Sequence, residues 1–207
     1  MGRQRQFLGE SADERRARRR TQLIDAALDQ VTEAGFGSAS VRGICSRAGL
    51  TSRYFYESFA NLDELFSTLL DDVADTVLSA GAEAVSAAQD APPRERIHRG
   101  LSAAIDAILD DPRRTALIAA VGAGDPSLQR KRLDIVLRLV DSINADPVSV
   151  PAPEQGSSAL TLFLAGGALE TIFGVADGRL DITRDQLVDH LTDFTIGTTL
   201  AAAGHGR

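Results

Sequence analysis

Residues 40–59 read Ser-Val-Arg-Gly-Ile-Cys-Ser-Arg-Ala-Gly-Leu-Thr-Ser-Arg-Tyr-Phe-Tyr-Glu-Ser-Phe, and their pattern decides the fold. Val41, Ile44, Cys45 and Ala48 recur at i, i+3, i+4 and i+7, the spacing of one buried helical stripe. Ser40 is placed to cap that helix, and Gly49 to stop it after about two turns. Thr51 predicts the cap of a third short helix running to about Ser58. Two short helices around a glycine turn form a helix-turn-helix. At 100° per residue Phe55 and Phe59 share one face of the second helix, Arg53 and Glu57 lie nearly opposite, and Tyr54 and Tyr56 flank them. Both tyrosines of the chain stand there. A phenol offers its ring to thymine methyls or sugars and its hydroxyl to phosphate.

Working outward, Ser11 and Glu14 stand in the capping-box relation and predict a first helix running to Ala34, with Gly35 as its left-handed C-cap. Leu23, Ile24, Ala27, Leu28 and Val31 form its stripe. Downstream, Asn61 with Glu64 opens a long fourth helix with Leu62, Leu65, Phe66, Leu69, Val73 and Val77 on one side. Asp90-Ala91-Pro92-Pro93 breaks it. Further helices are predicted to Asp111-Pro112, around Arg113–Val121, over Leu128–Ala145, over Glu154–Ala176 closed by Gly178, and over Thr183 to about Ala202. No segment alternates with period two, so the predicted fold is all-α with nine helices. It divides into a flexible arm at 1–10, a helix-turn-helix domain at 11–60, a helical effector-binding and dimerisation domain at 61–203, and a tail at 204–207.

The 207 residues carry a net charge of −7, which argues against a polyanionic partner until it is divided. Residues 1–60 hold ten arginines and seven acids; the rest hold 12 basic and 22 acidic residues. Only the first module suits nucleic acid. One cysteine, Cys45, excludes an intramolecular disulfide framework and a multi-cysteine zinc site. No apolar run approaches the roughly 20 residues of a membrane span, and Met1–Glu10 lacks the apolar stretch of a signal peptide, so a cytoplasmic protein with no membrane partner is expected. His98, His190 and His205 share no metal-ligand spacing, and Glu95 with His98 is a lone Glu-x-x-His pair. No nucleophile elbow, phosphate loop or dinucleotide fingerprint occurs. An enzyme, a metal and a cofactor are therefore not expected.

Ala48-Gly49-Leu50-Thr51, then Phe55-Tyr56 and Phe59, then Asn61 to Leu65 opening a long helix, together resemble the signature of the TetR/AcrR family of transcriptional regulators. The long first helix, the Gly35-Phe36-Gly37 turn, the helix count and the closing pair of long helices are similar as well. The resemblance implies a dimeric regulator of double-stranded DNA whose second motif helix enters the major groove. Carried over, Tyr56 touches phosphate, and Ser40, Thr51 and Arg42 are further DNA-binding positions. Ser52, Arg53 and Tyr54 then face the bases. The run Arg15-Arg16 and Arg18-Arg19-Arg20 either follows the DNA backbone or minor groove or is a solvated face. Leu62, Ser58 and Glu57 depart from the family pattern, each at the expense of phosphate binding. Glu57 either accepts from cytosine N4 or pairs with Arg53 at i,i+4.

The resemblance also implies pairing of the last two helices into a four-helix bundle. Phe163, Gly166, Gly167, Leu169, Phe173, Leu187, Leu191 and Phe194 are the interface positions expected, because apolar residues there occupy more than one stripe. The rival is a hairpin buried within one chain. In the family a small-molecule effector enters the C-terminal body and moves helix four. Beyond residue 60 the only aromatics are Phe66, Phe163, Phe173 and Phe194, too few to stack a planar cation, so an apolar or weakly polar effector is expected. Its ligand-binding residues are unassigned, with His98 or a buried arginine as polar contacts. The sequence does not separate repression from activation.

Overall fold

The structure, a computed structural model, describes residues 11–122, 131, 134–138 and 157–204. The arm at 1–10, most of Leu128–Ala145, the Asp146–Pro153 loop and the end of the tail lie outside the described residues. Among those described there are only helices: α1 Ala12–Ala34, a 3-10 turn Phe36–Ser38, α2 Val41–Ala48, α3 Ser52–Ser58, α4 Leu62–Ala87, α5 Pro93–Leu109, α6 Pro112–Gly122, α7 at 131 and 134–138, α8 Ser157–Ala176 and α9 Arg184–Gly204. The chain divides into two units, Met1–Phe66 and Ser67–Arg207, and the division falls inside α4.

The helix ends follow local chemistry. The Ser11 N–H donates to Glu14 Oε2 at 2.6 Å and the Glu14 N–H to Ser11 Oγ at 3.1 Å, which closes the capping box and fixes the start of α1. Thr183 and Gln186 repeat this reciprocal pair before α9, at 2.9 and 3.2 Å. At α4 the Asn61 side chain accepts from the Glu64 N–H at 2.9 Å, and Glu64 reaches back one residue further than expected, to the Ala60 N–H. Gly49 ends α2 in the left-handed region, at φ 66° and ψ 27°. Gly35 differs from expectation: its φ of 78° comes with ψ of 160°, an extended turn that leads straight into the 3-10 turn rather than a left-handed cap.

In the first unit α1 packs on α2 and α3, and α2 on α3. Leu23, Ala27, Leu28, Val31, Ile44, Cys45, Phe55, Phe59 and Leu65 are buried, and the expected Ile24 is replaced in the core by Ala26. The 3-10 turn presents Phe36, whose ring centre lies 4.4 Å from that of Phe66, so the first turns of α4 belong to this unit. In the second unit α5 packs on α6 and α9, and α8 on α6 and α9. Ile105, Leu187, Val188 and Leu191 make one core cluster, flanked by Leu101, Ala168 and Ile172. Two glycines bring α4 and α5 together: a Cβ on Gly81 would lie 3.3 Å from the Gly100 carbonyl, and one on Gly100 would lie 2.6 Å from Val85. Arg184 ties α9 to α5 through Asp106, at 2.8 and 2.6 Å, and through Ser102.

Candidate nucleic-acid interface

The helix α3 has seven residues, far below the length at which a peptide helix holds itself in water. Its position comes from burial of Phe55 and Phe59, whose ring centres lie 5.8 Å apart and which retain 0% and 2% of their exposure. Truncating either to alanine costs about 3–5 kcal/mol. With that face anchored, Thr51, Ser52, Arg53 and Tyr56 are exposed on the outside.

Each expected DNA-binding residue has a distinct setting. Tyr56 is 61% exposed, its ring edge-on to Phe55. Arg53 is open to solvent except for a 3.0 Å bond from its Nε to Glu57 Oε1. Tyr54 is half-buried, with the Arg19 guanidinium 4.4 Å over its ring. Ser52 stands beside Cys45: burial pushes that thiol up, and its bond with the Ser52 side chain opposes the shift. Ser52 is thus partly committed to α2. Ser40 accepts from the Gly43 N–H at 3.1 Å and so caps α2 as expected. Thr51 precedes α3 but makes no side-chain cap, contrary to expectation. Arg42 is exposed on the first turn of α2.

The arginine run of α1 has a role that sequence reasoning missed. Arg16, Arg19 and Arg20 recur at i, i+3 and i+4 and turn toward α3. Arg16 Nη2 donates to the Glu57 carbonyl at 2.7 Å, and Arg20 lies 4.6 Å over the Phe59 ring. The spacing was legible; the target face was not, because it is set by how α1 packs. Arg15 and Arg18 remain on the exposed side. Glu33 and Arg47 form a forked ion pair between α1 and α2, one arm at 2.8 Å.

This arrangement is a rigid platform with arginine and tyrosine on its outer face, the side-chain set that contacts phosphate and base edges. Residues 23–69 match the family described as bacterial regulatory proteins, tetR family. Over that stretch, from within α1 to the first turns of α4, the chain is similar to this family. No curated protein sequence matches the chain. Among solved structures it is similar to a transcriptional regulator from Rhodococcus sp. Rha1, at 22% identity over 88% of this chain and 96% of that one, with a TM-score of 0.66. A TetR-family transcriptional regulator from Syntrophomonas wolfei is 15% identical over 89% of this chain and 96% of its own, with a TM-score of 0.71. The transcriptional regulator FadR from Bacillus subtilis, solved with stearoyl-CoA, is 17% identical over 86% and 98%, with a TM-score of 0.67. These likenesses show the TetR-type fold across both units.

The residues expected at the dimer interface separate into two groups. Phe173, Leu187 and Leu191 retain 1%, 1% and 5% of their exposure and fill the interior of the chain itself, so they have almost no surface left for a partner. Phe163 and Phe194 are 71% and 65% exposed. Gly167 is exposed, and Gly166 and Leu169 are half-buried. The distinction is invisible in sequence because α8 and α9 are apolar on several sides. His98 is half-exposed, with Nε2 3.4 Å from Asp189, and among the described residues the buried arginine is Arg96. No described helix is long and apolar enough to cross a membrane.

Proposed function

We propose that the protein is a repressor that binds an inverted-repeat operator as a homodimer in the cytoplasm and is released by an apolar small molecule. The outer face of α3 carries this reading: Arg53 and Tyr56 project from a helix whose opposite face is locked by Phe55 and Phe59. Two-fold symmetry would present two such helices to successive major grooves about 34–36 Å apart. Tyr56, Thr51, Ser40 and Arg42 contact phosphate in this reading, and Arg53, Tyr54 and Ser52 face the bases.

Pairing is assigned to the outer sides of α8 and α9. Phe163 and Gly167 share one face of α8, and Phe194 and Gly197 share one face of α9. Nothing lies within 4 Å of where a Cβ would stand on Gly166, Gly167 or Gly197. Glycine inside a helix costs about 1 kcal/mol relative to alanine. Its presence beside exposed phenylalanines suits close approach of a second copy. The effector class rests on the scarcity of aromatic residues beyond residue 60, and the fold neighbour solved with stearoyl-CoA supports it. A groove of about 490 Å³ between α4 and α5 is lined by alanines with His98, Arg99, Ser102 and Asp106. These polar groups already face Asp189, Glu95 and Arg184, which leaves the alanine surface for a ligand.

Footprinting on the DNA beside the protein's own gene tests the reading. A protected palindrome, lost in rising salt and on addition of an acyl compound, is the expected result. Absence of protection at low salt overturns the DNA-binding role, and release by planar cationic dyes but not by aliphatic compounds overturns the effector class.

A further inference from the structure

We infer that Arg53 reads a guanine in each half-site and that Glu57 is a positioning residue that aims it, rather than a reader of cytosine. The inference rests on the operator reading above and names the base chemistry of its contact. Arg53 has 84% of its side chain exposed, and its ion pair with Glu57 uses Nε alone. That leaves Nη1 and Nη2 outside the ion pair on a side chain that is mostly open to solvent. Two parallel N–H donors match the O6 and N7 acceptors that guanine shows in the major groove, and no other base edge there offers two acceptors.

Glu57 is itself held. Arg16 donates to its backbone carbonyl at 2.7 Å, which secures the last turn of α3, and its carboxylate lies one helical turn from Arg53. An exposed i,i+4 pair contributes little to folding. Its effect is to restrict the rotamers of a long side chain before binding, so that less entropy is lost on DNA. One oxygen of the Glu57 carboxylate, Oε1, is already committed to Arg53 Nε, which favours the positioning role over reading cytosine N4.

Selection from random duplex DNA with the full-length wild type, Arg53→Ala, Glu57→Ala and Glu57→Gln tests the assignment, after circular dichroism shows each is folded. The wild type should enrich a guanine at one position of each half-site by roughly 5- to 150-fold over other bases. Arg53→Ala should erase preference at that position alone. Glu57→Ala should weaken preference at the same position several-fold, and Glu57→Gln should restore most of it, since the amide oxygen still accepts from Nε. A merely structural Glu57 would lower affinity for every sequence alike and leave the guanine preference intact, which overturns the positioning role. If the Glu57 and Arg53 variants relax different base pairs, Glu57 reads a base itself and the inference is wrong. No enrichment by the wild type overturns the operator reading and this assignment with it.

Discussion

The guanidinium of Arg19 lies 4.4 Å above the ring of Tyr54, so a residue of the first helix covers the inner side of the helix assigned to read DNA. A cation over an exposed aromatic face is worth about 0.5–1 kcal/mol. Arg19→Ala and Tyr54→Leu should each weaken operator binding several-fold, and the double variant should lose less than the sum of the two. A double-mutant cycle by fluorescence anisotropy checks this. Strict additivity would mean that the stack has no part in binding.

Cys45 is 3% exposed, and burial raises the pKa of its thiol. The thiolate is the reactive form. In the native protein this single cysteine should therefore resist a thiol reagent at pH 7–8, and react when the Met1–Phe66 unit opens. Folding here favours the protonated thiol, a contribution fully present below the unfolded pKa of about 8.5 and lost as pH rises through the higher folded value. Labelling followed with and without denaturant checks both points; rapid labelling under native conditions would contradict the burial.

Phe163 and Leu187 lie on neighbouring helices with opposite exposure, so their variants should separate assembly from folding. Phe163→Glu should give a folded monomer in sedimentation at micromolar concentration. Leu187→Ala should cost the chain about 2–5 kcal/mol in denaturant unfolding. Gly167→Ala should raise helix stability by up to about 1 kcal/mol while weakening self-association. A Phe163→Glu protein that remains dimeric would move the interface elsewhere.

Asp111 accepts from the Arg113 N–H at 3.0 Å and from its guanidinium at 3.1 and 2.9 Å. The Arg113 side chain holds the carboxyl below its ordinary range. The resulting stability is present above the unfolded value of about 3.9 and is lost as pH falls through the lower folded value. Asp111→Asn should lower stability at pH 7 by about 0.5–1.5 kcal/mol, and the gap to wild type should close below pH ~4. A gap that stays constant down to pH 2 would assign the loss to something other than this carboxylate.

The elements that sequence exposes well are those set by neighbours along the chain. Capping at Ser11, Ser40 and Asn61, the stop at Gly49, the burial of Ile44 and Cys45 on one helix and the shared face of Phe55 and Phe59 on the next are all local, and the structure places them as read. What sequence does not expose depends on a second element. Whether Arg16 and Arg19 face solvent or α3 is decided by the packing of α1, and whether Phe163 or Leu191 is the outward residue is decided by which side of α8 and α9 meets α5 and α6. In a helix apolar on several sides no periodicity distinguishes the two. Ser52 illustrates the same limit: its neighbour Cys45 lies on the preceding helix, and only the turn between them brings the hydroxyl to the thiol.

The shortness of α3 ties recognition to temperature. A seven-residue helix exists only while Phe55 and Phe59 remain buried, so the surface assigned to DNA and the folded Met1–Phe66 unit are one population. Apparent operator affinity is the intrinsic affinity scaled by the fraction of molecules in that population. Near the melting point of the unit, operator binding would fade in proportion to unfolding. Operator DNA would in turn raise that melting point, by an amount that grows with the logarithm of its concentration over its dissociation constant.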